Sequence, residues 1–187
     1  MCKISFKANT ISYSTITKIK PNNIEEKVIG SFVELDTKNK DDYNAIRAIA
    51  HNWDNSYSIA VDIFDNFVAD KYSIHVFNTH PNRYFAIIDK DSPVDKILPE
   101  SILGIAQISK KFNNTFNLDF IQTNPKHIKD ARNRGFKHIG KTLINSIIKI
   151  LPNKEISTCP TDNKAKAFYE KLNFKQIKNS NFMEFRI

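Results

Sequence analysis

The sequence predicts an α/β fold, a mixed and mostly antiparallel sheet flanked by helices. Three observations predict it. Apolar residues recur at helical spacing in two blocks before residue 70; four extended runs separated by polar connectors follow between 72 and 123; and helix and strand patterns alternate after 139.

The first two strands are expected at Ile11–Ile16 and Val28–Leu35, where aliphatic and aromatic residues are bounded by polar turns. From Asp41 the period changes. Ile46, Ile49, Ala50 and Trp53 recur at threes and fours, and Ile59, Ile63 and Phe67 continue at fours, which predicts helices over 41–53 and 56–69. YSIHVF (72–77) and YFAIID (84–89) then read as a hairpin. ILGIAQIS (102–109) and FNLDFIQT (116–123) extend it into an antiparallel meander. The last third predicts a helix at 139–150, a strand at 155–159, a helix at 163–172, and extended FKQI and FMEFRI segments. Leu143, Ile144, Ile147, Ile148 and Leu151 form one apolar stripe, and Ala165, Phe168 and Leu172 a second.

With 187 residues, 41% of them hydrophobic, no internal repeat and no low-complexity linker, the chain (1–187) is expected to form one domain. It contains no run of about 18 apolar residues and opens without a signal peptide's apolar stretch, so a cytoplasmic protein with no membrane partner is expected. Cys2 and Cys159 have no metal or disulfide spacing, which agrees with a reducing compartment. Next to Pro160 at a strand end, Cys159 reads as a buried small apolar residue. His51, His75, His80 and His127 lack ligand-like spacing, and no metal is expected. The net charge of +8 and pI near 9.4 favour an anionic partner, but the lysines are scattered. No motif indicates a nucleic-acid groove.

The segment most suited to chemistry is RGFKHIGKTLINSII (134–148), a basic, glycine-punctuated turn running into an amphipathic helix. Amides at a helix start have no partner within the helix, and the macrodipole adds positive charge there, so 136–141 suits an anion. Gly140 admits close approach to the main chain. Arg134, Lys137 and Lys141 supply charge.

Downstream, NKAKAFYEKLNF (163–174) makes the anion arguable. A strand ending before Pro125, the basic loop, the helix, the next strand and this segment, in that order, resemble the GNAT superfamily of acetyl-CoA-dependent N-acetyltransferases. NKAKAFYEKLNF is similar to that family's Asn-x-x-Ala-x-x-Phe-Tyr-x-x-x-Gly-Phe pattern, with Asn173 at the usual glycine. Aligned on Gly140, the loop places His138 at the first glycine of the family's phosphate motif and Gly135 at its Gln/Arg position, with Arg134 one residue upstream.

The resemblance implies a splayed strand pair holding the coenzyme, with acetyl-CoA as co-substrate. Its pantetheine arm would run along Phe120–Thr123, meeting Ile121 and Thr123. The diphosphate would meet the amides of Lys137, His138, Ile139, Gly140 and Lys141, together with Thr142 and Arg134. Asn163 would bond the pantetheine and Lys166 a phosphate. Tyr169 would protonate the departing thiolate, and Asp119 stands where some members carry a general base. The first helices would wall the acceptor site, making Trp53, Asn55 and Tyr57 candidate contacts.

The implied activity is acetyl transfer to a primary amine by direct attack in a ternary complex. The amine would belong to a small molecule, a peptide or a tRNA-linked group, and the enzyme would be a monomer or homodimer. Two alternatives stay open: a non-catalytic basic nucleic-acid or protein binding module on the same fold, and toxin-like acetylation of an aminoacyl-tRNA.

Overall fold

A computed structural model describes residues 9–53, 59–72, 81–89, 97–111, 114–128 and 134–186. The chain opens with a long hairpin, β1 (Asn9–Ile19) and β2 (Glu25–Leu35), followed by helices α1 (Lys40–Asn52) and α2 (Ile59–Lys71). Strands β3 (Arg83–Asp89), β4 (Ile102–Lys110) and β5 (Phe116–Thr123) form the antiparallel meander. Then come β6 (Phe136–Lys137), α3 (Ile139–Ile150), β7 (Ile156–Thr158), α4 (Asn163–Glu170), β8 (Lys175–Gln176) and β9 (Met183–Phe185). Among the described residues they make one nine-stranded sheet of order β6-β1-β2-β3-β4-β5-β7-β9-β8, in which β5 and β7 are the one parallel pair.

Alternating side chains along the strands build a core on each face. On one, Phe85, Leu103, Ala106, Ile108 and Leu118 pack with the apolar stripe of α3 and with Tyr169 and Leu172. On the other, Tyr84, Ala86, Ile102 and Ile105 pack with Ile46 and Ile49 of α1 and Ile63 and Phe67 of α2. Trp53 is buried in this second core, so its indole is a packing group. Among the described residues, no helix is long and apolar enough to cross a membrane.

Several expectations need adjustment. Both N-terminal strands are longer than their apolar runs, because ladder pairing continues through polar residues from Asn9↔Glu34 to Ile19↔Glu25. Tyr72 does not open a strand: it sits in the turn after α2, its N–H bonded to Val68 O at 3.2 Å. Residues 73–77, which carry the rest of the expected first hairpin strand, lie outside the described residues, as do Asn55, Tyr57, His75 and His80. Cys159 is exposed, because β7 ends at Thr158 and the chain leaves the sheet before Pro160.

α1 begins at Asn39, whose side chain accepts the amides of Asp41 at 2.8 Å and Asp42 at 3.4 Å. Asp42 is itself only 1% exposed and accepts the Asp36 amide at 2.8 Å. Burial pushes its carboxyl up to about 6, against the pull of the Asp36 amide. A raised carboxylate pKa means that the folded state holds the proton more tightly, so Asp42 costs nothing at low pH and an increasing amount as it ionises. Asp42→Asn should therefore gain melting temperature over the parent as pH rises from about 4 to about 6, the difference levelling off above. A difference constant with pH would refute this.

Candidate active site

The site is built around the place where β5 and β7 part. Their parallel ladder runs through Phe116↔Ile156, Asn117↔Ser157 and Leu118↔Thr158, and there β7 ends. The next residue, Asp119, is a bulge: across β5 and β4, Leu118 faces Ile108 and Phe120 faces Gln107, leaving Asp119 without an opposite partner. A bulge bends its strand and increases the local twist. β5 then follows β4 as far as Thr123↔Gly104, so its other edge, from Asp119 to Thr123, has no ladder partner among the described residues.

The far end of that edge meets the start of α3. His138 enters the helix in the left-handed region (φ 63°, ψ 18°) without a side-chain cap, and the first helical bond is Thr142 N–H to His138 O at 2.9 Å. The amides of Ile139, Gly140 and Lys141 therefore have no helical acceptor, and no acidic residue stands in the first turn. The His138 side chain is exposed and does not cap the turn, Lys141 is exposed, and Thr142 is half-buried.

Gly140 has a role the sequence did not suggest. A Cβ there would lie 3.3 Å from Phe168 Cζ and 3.6 Å from Thr123 Oγ1, so its bareness makes room for α4 and the end of β5. Gly104 is more constrained still: a Cβ would stand 2.8 Å from Ile139 Cγ2 and 3.3 Å from Gln122 O. That glycine, inside an otherwise buried apolar strand, lets the first residue of α3 dock on the sheet. An interior strand glycine was the signal for it.

The basic residues of the turn are largely engaged elsewhere. Arg134 Nε donates to the carbonyls of His127 at 3.0 Å and Phe136 at 2.9 Å, clasping the two ends of the connection from β5 to α3. β6 pairs with Thr17 and Lys18 of β1, and Ile19 N–H bonds Gly135 O at 2.8 Å, so the turn is sewn to the sheet's edge. Lys137 Nζ lies 2.6 Å from Glu25 Oε1. His127 packs edge-on against Phe136, and burial lowers its pKa.

At the vertex of the opening stands Tyr169, only 6% exposed, between Phe168 and Phe174. Burial pushes its phenol above the ordinary value, while the nearby Thr158 hydroxyl pulls the other way. Thr158 Oγ1 donates to Leu118 O at 3.1 Å, across the last paired rung. Thr158 was not anticipated.

Asp119 lies on the opposite, α2-facing side. Its Oδ1 accepts from Ser109 Oγ at 2.9 Å and Asn117 Nδ2 at 2.6 Å, and its Oδ2 is buried without a partner. Burial pushes this carboxyl up; the Asn117, Ser109 and Gln107 donors and the Lys111 charge oppose that shift.

Asn163 and Lys166 line an open cleft of about 700 Å³ with Cys159, Thr161 and the β8–β9 turn residues Asn179–Asn181. Asp162 caps α4, accepting the Ala165 amide at 2.7 Å. The structure thus sets Ile121, Thr123, Ile139, Gly140 and Tyr169 around one opening. It places Asn163 and Lys166 in a cleft beside it, and ties Arg134 and Lys137 to other groups.

No protein-family model and no curated protein matches the chain. Solved structures do. A putative acetyltransferase of the GNAT family from Desulfovibrio desulfuricans matches with a TM-score of 0.50 and 10% identity, over 94% of this chain and 99% of that one. A tyrosine-to-phenylalanine variant of the toxin AtaT, bound to the C-terminus of the antitoxin AtaR, matches at 0.51 and 12%, over 73% and 84%. The same variant with AtaR and acetyl-CoA matches at 0.50 and 12%, over 72% and 83%. The chain has a GNAT-like fold.

Gly104→Ala tests the docking of α3. Overpacking at a rigid contact costs about 1–3 kcal/mol, or roughly 3–10 °C in melting temperature at this chain length. Adding Ile139→Ala should return part of the loss; a Gly104→Ala variant that melts with the parent would show that α3 is not held this way.

Proposed function

We propose that this protein is an N-acetyltransferase that moves the acetyl group of acetyl-CoA to a primary amine by direct attack, without a covalent enzyme intermediate. One observation carries the reading: an unpaired strand edge runs from a buried phenol to an uncapped helix start. From Leu118 to Thr123 the edge runs five residue steps, about 16 Å at the rise of a strand. A pantetheine arm has about thirteen bonds between sulfur and phosphorus, roughly 16 Å when extended. It can add to the β5 edge as a strand would. Its diphosphate then meets the amides of Ile139, Gly140 and Lys141, with Lys141 close by. An AtaT structure that holds acetyl-CoA on a similar fold supports this choice of co-substrate.

Acetyl-CoA supplies the thioester carbonyl, and the site's first contribution is to fix that carbonyl at the vertex. Asp119 removes a proton from the amine. Tyr169, kept protonated at neutral pH by burial, gives its proton to the departing thiolate. The need for a base depends on the acceptor: neutralising a lysine-like ammonium at pH 7 costs roughly 4.6 kcal/mol, an α-ammonium only about 1.4. An aminoacyl ester or peptide N-terminus is thus the easier acceptor. In the competing reading, a binding module without turnover, the fold would persist and no thiol would appear.

Acetyl-CoA at about a hundred times its Kd should stabilise the protein by about 2.7 kcal/mol, a rise of roughly 5–10 °C. No shift with either acetyl-CoA or CoA would overturn the proposal. Tyr169→Phe should slow thiol release on the order of a hundredfold while leaving the KM for acetyl-CoA within a few-fold. Release at the parent rate would remove Tyr169 from the chemistry.

A further inference from the structure

Resting on the acetyl-transfer reading, we infer that Ser109, Asn117, Ser157 and Lys111 are positioning residues that hold Asp119 for proton removal at its Oδ2 atom, on the α2-facing side of the sheet.

Three of them form a row across adjacent strands. Ser109 of β4 is paired with Asn117 of β5, and Asn117 with Ser157 of β7. Partners across a ladder present their side chains to the same face. The neighbouring rung, Ile108↔Leu118, belongs to the α3-side core, so this row looks the other way, towards α2. Lys111, just beyond β4, reaches over to it: its Nζ donates to Ser157 Oγ at 2.6 Å. Ser157 Oγ lies 3.1 Å from Asn117 Oδ1, nearer than its alternative acceptor, Phe116 O at 3.4 Å. Asn117 Nδ2 in turn donates to Asp119 Oδ1 at 2.6 Å.

The chain has a direction. Lys111 fixes the Ser157 hydroxyl, which turns the Asn117 amide so that its NH₂ group faces Asp119, and each bond polarises the next. Ser109 adds a second donor to the same carboxylate oxygen. Both of these hydrogen bonds fall on Oδ1; the Gln107 amide lies near enough to favour the charged carboxylate, and Oδ2 is left buried without a hydrogen bond of its own. Buried polar atoms are nearly always paired, and one without a partner marks a place for a group not yet present. An amine N–H is such a donor. It would meet Oδ2 on the α2 side, whereas Tyr169 reaches the vertex from the α4 side.

Base and acid therefore flank the reacting carbon from opposite faces of the sheet, and the two protons do not mix. Nitrogen gives its proton to Oδ2 as the C–N bond forms. The C–S bond breaks, sulfur takes the phenolic proton, and both side chains recover their starting states from water. Among the described residues, the other ionisable groups facing Asp119 are the Lys111 ammonium and the Tyr84 phenol of β3, which is itself bonded to Asp70 of α2.

The test compares the parent with Ser109→Ala, Asn117→Ala, Ser157→Ala and Ser109→Thr, by the pH profile of kcat/KM and by ¹³C NMR titration of the Asp119 carboxyl. Losing a donor to the charged form should raise the acid limb and the NMR midpoint together by about one pH unit in Ser109→Ala and Asn117→Ala, and by less in Ser157→Ala. That is about a tenfold loss below the limb, vanishing above it. Ser109→Thr keeps the hydroxyl and should restore the parent profile. An unmoved NMR midpoint in both Ser109→Ala and Asn117→Ala overturns the inference, as does a midpoint that moves without the limb. If the parent releases no thiol at any pH, the acetyl-transfer reading fails instead, and the NMR titration alone decides whether these residues hold Asp119.

Discussion

The parting of β5 from β7 after the Leu118↔Thr158 rung is the constraint on which the remaining architecture turns. Two parallel strands would ordinarily continue side by side, satisfying one another's main chain. Here β7 stops after three residues while the bulge at Asp119 carries β5 away. The last two rungs are pinned, Leu118↔Thr158 on the α4 face by Thr158 Oγ1 bonded to Leu118 O, and Asn117↔Ser157 on the α2 face by Ser157 bonded to Asn117. The strands therefore part at a fixed point, with Tyr169 and Asp119 on opposite faces near the last rungs and the α3 amides beyond the far end of the free edge.

Electrostatics at that mouth come from the backbone more than from the charged side chains. A net charge of +8 invites the opposite view. Yet Lys137 pairs with Glu25 at 2.6 Å, and Lys20 pairs with Glu26 at 3.0 Å, both at exposed positions. Exposed pairs of this kind contribute little to stability but do cancel local charge. Arg134 spends its Nε on two carbonyls, where it shapes the turn. What remains fixed and unscreened is a set of three amides backed by a twelve-residue helix, with Lys141 beside them.

Elements with strong periodicity were legible in the sequence, and those set by register were not. The expected bounds of α3, 139–150, match the structure, since its stripe from Leu143 to Ile148 has one solution. The strands from Tyr84 to Thr123 agree within a residue or two for the same reason. β6 was invisible: two residues, Phe136 and Lys137, carry no pattern and become a strand because β1 extends far enough to receive them. The bulge was equally hidden, because composition does not reveal which residue of FNLDFIQT lacks a partner. The site follows suit. Gly140 and Tyr169 stand out in the sequence as motif positions, while Thr158, Ser109, Asn117 and Ser157 show only through contacts between segments distant in sequence. Cys159 was misread because a strand end was placed one residue late.

The residue in the left-handed region before α3 explains why its amides are open at all. A capping residue normally holds extended backbone angles, which return its side chain to the second or third amide of the helix. Asn39 (φ −77°, ψ 126°) and Asp162 (φ −153°, ψ 176°) do this for α1 and α4. At φ 63° the chain enters α3 from the other side, and the His138 side chain makes no such bond. A residue with a Cβ incurs about 1 kcal/mol or more in that region. Local strain and uncapped donors are both costs that a fold selected for stability alone would remove with an extended Ser or Asp. Their coincidence at the end of the unpaired β5 edge, beside Thr123, is what the proposed diphosphate-binding turn requires and what an ordinary strand-to-helix connection does not.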